Sequence, residues 1–135
     1  MRRLLSVVVS VYNEEEALAQ FYQVTEGILN TISWDYELVF VNDGSRDQSL
    51  SILNRLADSN SKVKVVSFSR NFGHEAAMIA GIDYSQGDGI ICMDADLQHP
   101  PACIPEIIRR FEDGYEVINM VRTKNESAGC FNLSD

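Results

Sequence analysis

Three oxygen-bearing side chains alternate at Asp94, Asp96 and Gln98. In extended backbone, residues two apart leave the same face, so both carboxylates and the Gln98 carbonyl would point together. Hard oxygen donors so placed suit Mg2+ or Mn2+, which keep water and take remaining ligands from substrate phosphates. A D-x-D alone is frequent in loops and caps, and gains weight only from other acids nearby. Asp43, in Asn42-Asp43-Gly44-Ser45, offers an acceptor for the imide or amide N–H of a nucleobase. A turn or helix cap is the equally good structural alternative. Tyr12, beside Asn13 and Glu14, could stack on that base or simply rim the core. Arg70-Asn71-Phe72-Gly73 precedes a helical pattern, where backbone amides and an arginine could receive an anion, although a surface arginine is the default. His74 reads as a polar helix-start residue rather than a base or ligand. Arg122 could clamp a phosphate in bidentate fashion or be a solvated loop arginine.

These residues need elements to hold them. Leu4–Val11, Glu37–Val41, Val63–Phe68, Gly89–Met93 and Glu116–Val121 are short apolar runs, typical of strands buried on both faces. Between them, Leu18, Phe21, Tyr22, Ile28, Leu29 and Ile32 form one helical stripe, and Leu50, Leu53, Leu56 and Ala57 a second. Ser45-Arg46-Asp47-Gln48 reads as the capping box that starts this second helix. His74–Ser85, with Ala76, Ala77, Ile79 and Ala80, is a third helix, and Pro100-Pro101 opens a fourth with Ile104, Ile107, Ile108 and Phe111. Arg122–Asp135 has neither period and reads as loop or tail.

Strands alternating with helices predict βαβ units and an α/β fold: a Rossmann-like, mainly parallel sheet with helices on both faces. In strand order 3-2-1-4, with one or more further strands, the carboxyl ends of strands one, two and four are neighbours. Glu14, Asp43, Asp94 and Asp96 would then crowd one crevice, at a cost that a cation or hydrogen-bond donors must offset. Residues 1–127 form one domain, and 128–135 a tail.

The whole chain, 135 residues with 45% hydrophobic and 23% charged, has the composition of a single globular domain. Twenty acidic against 11 basic residues give a net charge of −9, which argues against a general nucleic-acid binder. No apolar run approaches the ~20 residues that span a bilayer, and the basic start at Arg2-Arg3 leads into a strand rather than a signal peptide. The cysteines, Cys92, Cys103 and Cys130, form no C-x-x-C and are read as reduced thiols of a cytosolic protein, which leaves soft-metal chemistry aside.

Taken together, the motifs resemble the family 2 glycosyltransferases of GT-A fold. Val9-Ser10-Val11-Tyr12-Asn13-Glu14-Glu15 looks like the opening motif, Val41-Asn42-Asp43-Gly44-Ser45 like the base-binding motif, and Asp94-Ala95-Asp96-Leu97-Gln98 like the D-x-D. Ser69–Ala77 and Met93–Pro101 look like the branch acting on polyprenyl phosphates, which includes dolichol-phosphate mannosyltransferases and bactoprenol glucosyltransferases. The resemblance covers about residues 4–127 and implies roles by position. Ser10 (where many members carry proline), Tyr12, Glu14, Val41 and Asp43 match nucleotide-contacting positions. Asp94, Ala95 and Asp96 match diphosphate and metal positions, Gln98 a further metal contact, and Arg122 an arginine near the donor diphosphate or acceptor phosphate.

The implied reaction is inverting, metal-dependent transfer of a hexose from a UDP- or GDP-sugar to undecaprenyl or dolichyl phosphate. Asp96 and Arg122 are its expected catalytic residues, with Arg70 added to the donor-binding set. Members continue well beyond this length, often with C-terminal membrane helices, and the stretch from Gly129 departs from their pattern. The expectation is therefore a piece of a longer enzyme, acting in cell-envelope glycan synthesis at the cytoplasmic side of a membrane, with a homo-oligomer left open. The alternative is a nucleotide-sugar-binding fragment without turnover. A signalling receiver domain would need an aspartate after strand three and a lysine after strand five, where Phe68-Ser69-Arg70 and Arg122 stand. A sugar-nucleotide pyrophosphorylase would need an early glycine-rich loop that the chain lacks.

Overall fold

The computed structural model describes residues 3–95 and 103–112, with the backbone of 117–119 and 132–133. Six strands, β1 (Leu4–Val11), β2 (Asp35–Asn42), β3 (Val63–Ser67), β4 (Gly89–Asp94), β5 (Val117–Asn119) and β6 (Asn132–Leu133), form one sheet of order β3-β2-β1-β4-β5-β6. All pairings are parallel except β5 with β6. The expected 3-2-1-4 core is therefore present. Central β1 is sandwiched between β2 and β4, and its mostly apolar sequence, broken only by Ser6 and Ser10, follows from being covered on both faces.

Side chains alternate across this sheet and divide the core in two. Val7, Val9, Val11, Leu38, Phe40, Ile91 and Met93 face one side, where they join residues of α1 (Leu18–Leu29), α2 (Ser49–Ser59) and α4 (Ile104–Glu112). On α1 the buried residues are Leu18, Phe21, Thr25 and Leu29, and on α4 Ile104, Ile107, Ile108 and Phe111, each a stripe of helical spacing. Val8, Val39, Val41 and Cys92 face the other side, against Ala77 of α3 (His74–Tyr84). Helix α3 lies low on the sheet because its inner residues are small. A Cβ added at Gly81 would fall 2.3 Å from Val8 Cγ1 and 3.0 Å from Val41 Cγ2. Ile79, counted from sequence with the alanines of this helix, points outward instead.

Three local expectations are corrected. Helix α2 begins at Ser49, and its preceding residue Gln48 makes no side-chain cap bond. The capping box at Ser45 does not form, because the Ser45 hydroxyl accepts instead from the backbone N–H of Asn13 at 2.9 Å. Strand β6 lies in the stretch read as tail, and two residues are too short to carry a period. Cys92 is a buried free thiol, whereas Cys103 is disulfide-bonded rather than reduced. Pro100 and Pro101 lie outside the described residues. Among the described residues no helix is long and apolar enough to cross a membrane.

Candidate functional site

The strand register builds a row at the carboxyl edge of the sheet. Ser10 of β1 is paired with Val41 of β2 on one side and with Asp94 of β4 on the other. Because Val41 faces α3, alternation puts Ser10 and Asp94 on that face too. The N-terminus of α3 stands over the row, and His74 Nε2 lies 2.7 Å from Asp94 Oδ1. Helix starts present unpaired N–H groups and favour anions, so this edge suits a phosphate-bearing ligand. Ala95, the next residue after Asp94, is buried.

Asp43, one residue past β2, is 2% exposed. Its carboxylate is held by the loop before α3: Oδ1 accepts from Phe72 N at 2.7 Å, and Oδ2 from Gly73 N at 3.1 Å and Asn71 Nδ2 at 3.0 Å. Asn71 Nδ2 also donates to the Asp43 carbonyl at 3.1 Å. Beside it, Gly44 (φ +69°) lets the two loops meet backbone to backbone, since a Cβ there would lie 2.2 Å from the Arg70 carbonyl carbon. A residue with a side chain would be strained at this φ as well as blocked. Arg70 is exposed, its guanidinium carbon 4.5 Å from the centre of the Phe72 ring. Phe72 stands edge-on to Phe68 at 5.4 Å between centroids.

A second junction ties the β1–α1 loop to the β2–α2 loop. Asn13 takes a left-handed conformation (φ 52°) and its Oδ1 accepts from Arg46 N at 2.9 Å. Glu14 N donates to Ser49 Oγ at 2.9 Å, and Glu15 N to Asp47 Oδ2 at 3.2 Å. Burial pushes the Asp47 carboxyl up, but hydrogen bonds from the Ser49 side chain and from backbone N–H groups outweigh it and hold the carboxyl below the ordinary carboxylate value. A cavity of about 370 Å³ lies here, lined by Asn13, Glu14, Glu15, Glu16, Ala17 and Asp47. Tyr12, just before this junction, is 45% exposed.

The strand tips thus meet at one edge, and three of the acids have described surroundings. Asp43 is enclosed by loop donors, Asp94 is bonded to His74, and Glu14 lines a cavity to which neither contributes. The Asp43 carboxylate is thus met by amide donors and that of Asp94 by an imidazole. Asp96, Gln98 and Arg122 lie outside the described residues. Among the described residues no three His, Cys, Asp or Glu side chains form a metal-holding group. Asp94 contributes one hard oxygen donor, one-quarter exposed at the crevice, of the kind divalent ions accept. Sequence reasoning missed Asn71 as a partner of Asp43, and His74 as a partner of Asp94. Only the reading of Arg70-Asn71-Phe72-Gly73 as an anion-receiving amide cluster marked the spot, since the contacts span 28 and 20 residues.

A model of glycosyl transferase family 2 matches residues 6–131, and the chain belongs to that family. The glycosyltransferase YkcC of Bacillus subtilis is 47% identical over 126 residues, which are 93% of this chain and 39% of that protein. The prophage bactoprenol glucosyl transferase homolog of Escherichia coli is 42% identical over 125 residues, 93% of this chain and 41% of that one. The chain therefore spans about two fifths of the length of these relatives. Among solved structures, the mannosyltransferase PcManGT from Pyrobaculum calidifontis, in complex with GDP-Man and Mn2+, superposes with a TM-score of 0.63 at 21% identity, covering 71% of this chain and 28% of that one. That likeness shows the GT-A fold.

Proposed function

We propose that the chain binds a nucleotide diphosphate sugar and belongs to a glycosyltransferase that moves a hexose from a UDP- or GDP-sugar to a polyprenyl phosphate, with inversion at the anomeric carbon. The observation that carries this reading is the row Ser10, Val41 and Asp94 beneath the N-terminus of α3, at the edge where parallel α/β sheets take their ligands. Family membership and the relatives' names support the sugar and the lipid acceptor.

In this reading the bond between the sugar's anomeric carbon and the donor diphosphate breaks, and one from the acceptor phosphate oxygen to that carbon forms. The nucleoside diphosphate leaves with the bonding pair. An acceptor phosphate is already ionised at neutral pH, so no strong base is needed and positioning supplies much of the rate. Mg2+ or Mn2+, held by Asp94, Asp96 and Gln98, would neutralise charge on the leaving diphosphate. Ser10, Tyr12, Glu14, Val41, Asp43, Ala95 and Arg70 are assigned to the donor, and Arg122 to a phosphate. A lipid acceptor puts the work at a membrane surface, on its cytoplasmic side.

Calorimetry of the chain with UDP, GDP and CDP, each with and without Mn2+, tests the reading. Binding of one nucleotide, tightened by Mn2+ and lost in Asp96→Ala, is the expected result. No binding by any of the three would overturn it. The share of relative length covered favours one second reading, a donor-binding unit without turnover of its own. Hexose transfer by this chain to a polyprenyl phosphate would exclude that version.

A further inference from the structure

Helix α3 covers one face of the sheet, and its first residue stands at the ligand edge. The two residues it buries, Ala77 and Gly81, carry no long side chain to key it to the strands, and Met78 and Ile82 pack beside them. Where the helix stands along the strands is therefore decided at its ends. The amino end meets Asp94 through His74, and Asp43 through the preceding loop. The carboxyl end runs into a turn, residues 85–87, seated on a buried polar pair near the opposite end of the strands. Glu37 of β2 and Ser6 of β1 are register partners, 8% and 0% exposed. Glu37 Oε2 accepts from Ser6 Oγ at 2.6 Å and from Gln86 N at 2.7 Å, and Ser6 Oγ accepts from Gly87 N at 2.9 Å. The turn lies this close because residue 87 is glycine: a Cβ there would fall 2.4 Å from Ser6 Oγ and 2.8 Å from Ser6 N.

We propose that Glu37 is a remote positioning residue for nucleotide binding: by holding the 85–87 turn it sets the height of α3, and so where the helix start stands over Ser10, Val41 and Asp94. The inference rests on the nucleotide-binding reading above. The 11 residues of α3 form a stiff rod roughly 16 Å long, so a displacement at its carboxyl end arrives at His74. Rigid elements packed in this way carry coupling between distant points. Among the described residues the Glu37 carboxylate has no basic partner, and its charge is met by a hydroxyl and a backbone N–H. Withdrawing a carboxylate from water is costly, and apolar residues of similar volume often hold a core as well or better. Stability alone therefore does not account for an acid here, and fixing register is the best-attested use of such a group.

The experiment compares wild type with Glu37→Gln, Ser6→Ala and Ile107→Val. Glutamine keeps the side-chain shape but loses the charge and one acceptor oxygen. Ser6→Ala removes the hydroxyl that bonds both Glu37 and Gly87. Ile107→Val thins the core on the opposite face and controls for lost stability alone. Calorimetry with UDP, GDP and CDP in the presence of Mn2+ reads affinity, and NMR amide shifts of residues 74–77 without ligand read the position of the helix start. Glu37→Gln is expected to weaken each nucleotide that wild type binds by about fivefold and to move those shifts. Ser6→Ala should do the same to a smaller extent. Ile107→Val should lower Tm, yet bind as wild type with the shifts in place. Wild-type affinity in Glu37→Gln overturns the proposal. So does weaker binding with the helix start unmoved, or equal weakening in Ile107→Val. If Glu37→Gln does not fold, Ser6→Ala decides by the same two readouts. If wild type binds none of the three nucleotides, the underlying reading fails and the role in binding with it. The shifts, read without ligand, tell that outcome from a failure of Glu37 to hold the helix.

Discussion

His74, the first residue of α3, is bonded through Nε2 to Oδ1 of Asp94, the last residue of β4, at 2.7 Å. The imidazole is 58% and the carboxylate 25% exposed, so the contact contributes little to stability, about 0–1 kcal/mol. Its effect is geometric: it fixes the carboxylate that ends the row of strand tips. His74→Ala should leave the unfolding free energy within about 0.5 kcal/mol of wild type while weakening Mn2+-dependent nucleotide binding several-fold. Urea unfolding and calorimetry measure the two separately. A stability loss with unchanged binding would make the pair structural only.

The close seat of α3 predicts a cost for the smallest enlargement. Alanine at 81 brings a helix-propensity gain of up to about 1 kcal/mol over glycine. Against it, the new methyl would lie 2.3 Å from Val8 Cγ1, which is enclosed in the sheet and cannot swing away. Overpacking of this kind costs about 1–3 kcal/mol, so Gly81→Ala should be destabilised on balance. A denaturant midpoint above wild type would show that the helix can lift without loss.

Burial raises the Cys92 thiol from 9.0 to about 11. At pH 8 it is a neutral thiol inside the sheet, and peptide mapping after iodoacetamide treatment should find it unlabelled until urea is added. The sign for stability follows from the direction. The unfolded thiol ionises first, so its contribution is intact below pH 9 and is lost as pH rises from 9 to about 11. Cys92→Ala should lose less stability over that interval than wild type.

Asp47 titrates in the opposite sense. Its folded value is depressed below 3.8, so its contribution is present above that pH and lost as pH falls through the folded value. Thermal melts of wild type and Asp47→Asn should differ by roughly 1–2 °C at pH 7, small because solvent screens the group, and converge in acid. A difference that persists at pH 2 would assign the effect to the cavity wall instead of the charge.

Much of the fold was legible from apolar runs. Leu4–Val11 is the observed β1 residue for residue, and the order of strands and helices holds from β1 to β5. Side-chain period carries that information locally. What it cannot carry is which polar group a polar group meets. Ser45 looked like a cap because Gln48 follows at the right spacing, yet its hydroxyl serves Asn13, 32 residues earlier. Ile79 groups with the alanines of its helix by apolarity, yet it points outward, and the residues α3 buries are Ala77 and Gly81, with Met78 and Ile82 packed beside them. For the site, the acidic strand tips were visible in sequence, whereas the partners that satisfy them arrive from a loop whose path depends on the assembled sheet.

The place of β1 in the sheet has a consequence for how the molecule is made. Strand β1 lies in the interior of the sheet, and its second neighbour, β4, ends only at Asp94. Until then β1 has one open flank, a template for wrong pairing. The ligand edge is completed in the same instant, since Asp94 is what pairs with Ser10. Any shortened version ending before this point would therefore lose solubility and binding together, and a nascent-chain series should show both appear at one length.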